Sequence, residues 1–194
     1  MSEPPDWATS AAPTPDEIAS LLQVEHLLDQ RWPETKIEPS LTRISALMDL
    51  LGSPQLGYPS IHIAGTNGKT SVARMVDALV TALHRRTGRT TSPHLQSAVE
   101  RIAIDGQPIS PAQYVATYRE IEPFVQMIDE QSQAAGGPPM SKFEVLTAMA
   151  FAAFADAPVD VAVVEVGMGG RWDATNLINA PVAVITPIGI DHVD

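Results

Sequence analysis

The stretch Gly65-Thr66-Asn67-Gly68-Lys69-Thr70-Ser71 constrains this chain more than any other, because of what stands on either side of it. Before it, Ile61-His62-Ile63-Ala64 is a short apolar run preceded by a proline turn, which reads as a buried strand. After it, Val72, Met75, Val76, Leu79 and Leu83 recur at helical spacing and predict one apolar helix face, ending before Gly88. Strand, glycine loop and helix, in that order, make an anion site. The glycines let the backbone approach phosphate oxygens, the helix start offers unpaired N–H groups, and Lys69 adds a point charge.

The rest of the chain extends that unit into a layered fold. Thr14-Pro15-Asp16-Glu17 reads as a capping box with proline at the first helical position, followed by Ile18, Leu21, Leu22, Glu25 and Leu28. A second helix carries Ile44, Leu47, Met48 and Leu51 and stops at Gly52. Arg101 to Ile104, followed by Asp105-Gly106, predicts a hairpin with a type I′ turn. Pro111 to about Gln131 predicts a helix threatened at Pro123. Phe143 to Phe154 predicts an apolar helix, and Val159 to Gly167 and Pro181 to Ile188 predict strands with the near-continuous hydrophobicity of a parallel sheet. The expected fold is α/β, a mostly parallel sheet with helices on both faces and a helical segment at the amino end. Residues 1–13 are expected to form a disordered tail, and residues 14–194 a single unit.

Composition removes several functional classes. With 12 Lys+Arg against 23 Asp+Glu, the formal net charge is -11 and no basic patch offsets it, which argues against nucleic acid as a partner. Arg85, Arg86 and Arg89 are expected at the end of the phosphate-loop helix, where cations complement the helix dipole. Cysteine is absent, so no disulfide, zinc ribbon or cysteine nucleophile enters. No basic and apolar leader opens the chain, and the longest apolar run, Val145 to Ala155, is too short for a bilayer, which predicts a cytoplasmic protein without a membrane partner.

Four further features carry chemistry. Glu165 sits in an otherwise apolar strand, where an ionised carboxylate is costly unless a metal or a donor compensates it, or unless it reaches water or an arginine such as Arg171 at the strand's carboxyl end. Ligands of α/β sheets bind at the carboxyl ends of strands, which favours the metal. The segment Gly167 to Asn176 gathers three glycines, a cation, a carboxylate and amides in one loop. Asp191-His192 follows a strand, where an imidazole could hold a metal. Thr90-Thr91-Ser92-Pro93-His94 supplies hydroxyl oxygens suited to Mg²⁺. The phosphate loop departs from the general Walker spacing, since two residues rather than four separate its glycines and position 63 is isoleucine. That points away from common kinases and GTPases and toward a ligase variant.

Together these stretches resemble the folylpolyglutamate synthase/dihydrofolate synthase branch of the Mur-ligase superfamily. The resemblance rests on Ile61 to Lys69, Thr91-Ser92-Pro93-His94-Leu95 with Glu100-Arg101-Ile102, Phe143-Glu144, Val163 to Asn176, and Asp191-His192, and runs from about residue 16 to the end. Thr70 stands where many folate ligases have a second glycine.

The resemblance implies an enzyme that joins L-glutamate to dihydropteroate or to folates, with ATP as substrate and two Mg²⁺ ions. It implies that Gly65, Thr66, Asn67, Gly68, Lys69, Thr70 and Ser71 hold the ATP phosphates. Glu165 with Thr91 or Ser92 would hold the first Mg²⁺ and His192 would serve the second, with Lys69, Glu165 and His192 as the catalytic set. The folate-type acid would meet Ile37, Glu38, Pro39 and Ser40, then Ser141, Lys142, Phe143 and Glu144, and finally Trp172, Asp173 and Ala174. The full-length enzyme would be a monomer in the cytoplasm. In the resembled family the central domain continues past Asp191-His192 and a smaller domain follows, so residues 1–194 alone are expected to be inactive and poorly stable. A Mg-ATP-binding remnant, or a ligase of cell-wall precursors, are the alternative readings.

Overall fold

The computed structural model describes residues 12–32 and 40–189. The expected tail lies almost wholly outside them, as do Ile37, Glu38, Pro39, Asp191 and His192. Among these residues five α-helices and six strands follow in chain order: α1 (Pro15–Asp29), α2 (Thr42–Leu50), β1 (Ser60–Ala64), α3 (Lys69–Ala82), β2 (Thr87–Thr90), β3 (Ile102–Ile104), β4 (Gln107–Pro108), α4 (Pro111–Ala134), α5 (Lys142–Asp156), β5 (Val161–Glu165) and β6 (Val182–Ile185).

The six strands form one mixed sheet in the order β4-β3-β2-β5-β1-β6. β2, β5, β1 and β6 run parallel, and β3 joins β2 antiparallel. β5 lies between β1 and β2, in register Ile63↔Glu165 on one side and Thr90↔Val164 on the other. The carboxyl ends of three strands therefore meet where β1 runs into the glycine loop. Side chains of a strand alternate between faces, and β5 divides accordingly. Ala162 and Val164 join the main core under α5, with Phe151, Phe154 and Met149. Val163 faces α3, packing with Ile63 and Ala73.

Most local expectations hold. Thr14 and Glu17 form the capping box that starts α1, with Pro15 in its first turn. Asp105 and Gly106 have φ of 50° and 77°, as a type I′ turn requires. α4 runs through Pro123 and extends to Ala134.

Three expectations fail. α3 does not bury Met75, Leu79 and Leu83, which are 63%, 67% and 73% exposed. Its fully buried residues are Ala73 and Asp77, two positions away from Met75 and Leu79 and so about 200° around the helix, while Val72 and Val76 of the expected face do pack, partly buried, beside Ala73. On α1 the buried line is Leu21, Val24 and Leu28, leaving Ile18 and Leu22 exposed. The third is β2, a strand inside the sheet where a helix end and loop were expected. Its sequence, Thr-Gly-Arg-Thr, has no apolar side chain to signal a strand. Gly88 is needed there because a Cβ would meet the Phe154 ring at 2.5 Å. Arg89, expected to complement a helix dipole, is instead buried, with Nε 3.2 Å from Asp77 Oδ2.

Candidate functional site

The glycine loop leaves β1 at Gly65, whose φ of 134° and whose approach to Thr186 exclude a side chain: a Cβ would lie 2.8 Å from the Thr186 carbonyl oxygen. Gly68, at φ 82°, is the N-cap of α3. The amides of Thr66 and Asn67 donate to the Pro187 carbonyl at 3.1 and 3.3 Å, tying the loop to the segment after β6. The Thr66 hydroxyl also donates to the Gly189 carbonyl, at 3.2 Å. The remaining anion donors are the first-turn amides from Lys69 onward, which have no intrahelical acceptor, with the positive end of the α3 dipole behind them. The side chains of Lys69 and Ser71 stand at this helix start.

Glu165 ends β5 and is 3% exposed. Its carboxylate accepts the Thr70 hydroxyl at 2.8 Å on Oε1 and 3.1 Å on Oε2, and the Ser92 amide at 3.2 Å. Among the described residues no cation forms an ion pair with it, so Arg171 is not its partner. Burial raises its pKa above the usual carboxylate range, against the pull of Thr70, the Ser92 amide, Lys69 and Arg74. A buried carboxylate held by two neutral donors, with the Lys69 and Arg74 charges near enough to lower its pKa, is a hard oxygen ligand of the kind that suits Mg²⁺. Thr91 and Ser92 border a cavity of about 10 Å³ beside it, together with Arg101, Phe143 and Thr175, room for one water-sized guest. No group of three His, Asp or Glu side chains converges among the described residues. His192, expected to serve a second metal, lies outside them.

The loop that begins at Thr91 is held from within. His94 Nδ1 accepts Arg101 Nε at 2.9 Å, and its pKa is pushed down by burial and then by the Arg101 charge. Glu100 accepts the amides of Leu95, Gln96 and Ser97, which hold its carboxyl below the usual range.

The residues expected to meet the acid substrate divide by exposure. Trp172 is 54% exposed, with the Arg171 guanidinium 5.3 Å from its ring centre. Asp173 and Ala174 are buried. Asp173 Oδ2 accepts the Met168 amide at 2.9 Å, so it closes the glycine loop rather than facing outward. Gly167 is pressed by the Phe143 ring, 2.4 Å from where a Cβ would be. Ser141 and Glu144 form the capping box of α5. Glu144 is buried against Arg43 of α2, with both carboxylate oxygens 3.3 Å from Arg43 Nε. Lys142 pairs with Asp29 at 2.5 Å, and the Ser40 hydroxyl accepts the Thr42 amide at 3.1 Å. Glu144 and Lys142 thus join α5 to the amino-terminal helices, while Phe143 reaches the glycine loop.

Sequence reasoning placed Thr70 with the phosphates and did not foresee its bond to Glu165. It also passed over His62, whose Nε2 lies 2.9 Å from Thr175 Oγ1. The available signal was a polar side chain inside an otherwise apolar strand.

The fold and this cluster define a phosphate-loop protein of α/β class, with a buried carboxylate beside the loop and a glycine-rich segment behind it. No family model matches the chain. It is 87% identical over 198 aligned residues to the dihydrofolate synthase/folylpolyglutamate synthase of Mycobacterium tuberculosis, covering 100% of this chain and 41% of that protein. A structure of M. tuberculosis folylpolyglutamate synthase complexed with ADP superposes with a TM-score of 0.88 at 89% identity, over 92% of this chain and 39% of that one. Escherichia coli FolC in complex with DHPP and ADP superposes with a TM-score of 0.77 at 34% identity, over 92% and 41%. The chain belongs to the folylpolyglutamate synthase/dihydrofolate synthase family, whose Mur-ligase fold it shares, and spans about two fifths of the length of the M. tuberculosis relative.

Proposed function

We propose that this chain is the phosphate-binding and acid-binding part of an ATP-dependent ligase that joins L-glutamate to dihydropteroate, to folates, or to both. The observation that carries this is the meeting of Thr70, Ser92 and the buried Glu165 at the carboxyl ends of β1, β2 and β5. The family assignment supports the substrate class, as do the ADP and DHPP named for its structural relatives.

In the proposed reaction the acid's carboxylate attacks the γ-phosphorus of ATP, giving an acyl phosphate and ADP. The amine of glutamate then attacks the acyl carbon, and collapse of the tetrahedral intermediate releases phosphate and leaves the amide. The α3 amino terminus and Lys69 hold the phosphates and stabilise charge developing on them. Glu165 with Thr91 or Ser92 would hold Mg²⁺, which supplies electrostatic stabilisation of the phosphates when bound; His192 would serve a second ion. Trp172, with Phe143 beside the glycine loop, would meet the acid. The whole enzyme is proposed to be a cytoplasmic monomer.

The test uses a ligase assembled by joining this chain to the remaining part of the M. tuberculosis relative. Dihydropteroate-dependent release of ADP, lost in Lys69→Ala and Glu165→Gln, is the expected result. ADP release stimulated by a UDP-linked acid instead would overturn the folate assignment.

A further inference from the structure

His62 stands in β1 between Ile61 and Ile63, and its side chain lies on the opposite face from theirs, toward the 3-10 turn Ala174–Leu177. A chain of hydrogen bonds starts there. Its Nε2 is 2.9 Å from Thr175 Oγ1, and Thr175 Oγ1 is 2.5 Å from Asp173 Oδ1. Asp173 Oδ1 also accepts the Thr175 amide at 2.9 Å, and Oδ2 accepts the Met168 amide at 2.9 Å.

The direction of this chain is fixed by proton counting. An ionised carboxylate only accepts and a hydroxyl has one proton, so Thr175 gives its proton to Asp173. Thr175 Oγ1 must then accept from His62, which places an N–H on Nε2. Burial pushes the His62 pKa below its usual value, opposed by the Asp173 charge, so the neutral ring with its proton on Nε2 satisfies all three groups. Thr175 is 1% exposed and Asp173 7%, so water does not replace a lost partner freely. Thr175 also borders the small cavity beside Glu165 and Thr91. One hydroxyl therefore links the wall of the phosphate site to the loop that carries Trp172.

We propose that His62 is a positioning residue for the acid substrate: donating through Thr175 to Asp173, it holds the Met168–Asp173 loop in the shape that presents Trp172. This rests on the reading that Trp172 meets the folate-type acid. His62 acts on the loop and touches no reacting atom.

In the assembled ligase, His62→Ala is expected to raise KM for dihydropteroate by roughly tenfold, with KM for ATP and kcat within about twofold, and Thr175→Val is expected to raise KM for dihydropteroate at least as much. His62→Gln keeps a donor at similar reach and Thr175→Ser keeps the hydroxyl, and both are expected to restore KM to within about threefold. The double variant His62→Ala/Thr175→Val should be no worse than the poorer single one, because both cut the same chain. Nitrogen-15 shifts of the His62 ring should show the proton on Nε2. Equal increases in both KM values, additive single effects, or His62→Gln as impaired as His62→Ala would overturn the proposal in favour of a merely structural histidine. Trp172→Ala separates the two levels. If it leaves KM for dihydropteroate unchanged, the substrate reading itself fails; if it raises KM while His62→Ala does not, only the positioning role fails.

Discussion

The Thr70 hydroxyl donates to Glu165 from the first turn of α3, 2.8 Å from one carboxylate oxygen and 3.1 Å from the other. The phosphate loop and the end of β5 are thereby joined by a single side chain. In Thr70→Val the carboxylate keeps the Ser92 amide and loses its strongest donor. Partners that orient a metal-binding carboxylate typically contribute about 10–100-fold in affinity or activity. The expected result is a drop of that size in kcat/KM for Mg-ATP in the assembled ligase, recovered in Thr70→Ser.

Glu165 also predicts a pH dependence. Its pKa is raised in the folded, metal-free protein, so folded Glu165 holds its proton at pH values where the unfolded chain has released it. Stability of the metal-free protein should therefore fall as pH rises from the ordinary carboxylate value through the raised one. Glu165→Gln removes that fall, and above the window the variant should be the more stable protein. Urea titrations of both proteins across pH 4 to 7 in the presence of a chelator measure it; parallel curves would sink the idea.

Asp77 and Arg89 form a buried pair between α3 and β2, with Asp77 also accepting the Thr87 hydroxyl at 2.5 Å. Removing one partner strands the other charge, a loss of about 3–5 kcal/mol in typical buried pairs. Asp77→Leu is expected to cost that much in urea denaturation. Adding Arg89→Met should recover most of it, because the double variant leaves no unpaired charge.

What was legible in the sequence follows from what each residue does. β1 and β5 announce themselves because their apolar side chains are the physical reason they pair inside a sheet; β6 shows the same apolar run, yet it forms an edge of the sheet with Val182 and Ile185 exposed. β2 lies in the same sheet and was missed, since its burial depends on a glycine under Phe154 and an arginine matched to Asp77, neither of which registers as hydrophobic pattern. The outward stripe of α3 misled for the converse reason. Met75, Leu79 and Leu83 repeat at helical spacing, yet α3 turns Val72, Ala73, Val76 and Asp77 toward the sheet, where Asp77 meets Arg89. At the site, glycine spacing and an acid in an apolar strand were readable locally. Pairings across 95 and 113 positions, Thr70 with Glu165 and His62 with Thr175, depend on the folded topology.

Gly88 offers a direct check on β2. A methyl group there would meet the Phe154 ring at 2.5 Å, and the ring is fully buried, so it has little room to yield. Overpacking of this kind costs about 1–3 kcal/mol. Gly88→Ala should lower the urea midpoint accordingly, and Phe154→Leu should relieve part of the loss. An unchanged midpoint would mean that α5 does not pack on β2 as described.

Glu144 separates a structural carboxylate from a substrate contact. It was expected to meet the acid substrate, and the structure buries it between the start of α5 and Arg43 of α2. Glu144→Gln preserves the capping box, because a glutamine at the third helical position can accept the Ser141 amide as well. What it removes is the charge facing Arg43. If the carboxylate serves to join α2 to α5, the variant should lower the urea midpoint while KM for dihydropteroate in the surviving folded fraction stays unchanged. A tenfold rise in that KM with an unaltered urea midpoint would instead return Glu144 to the substrate site.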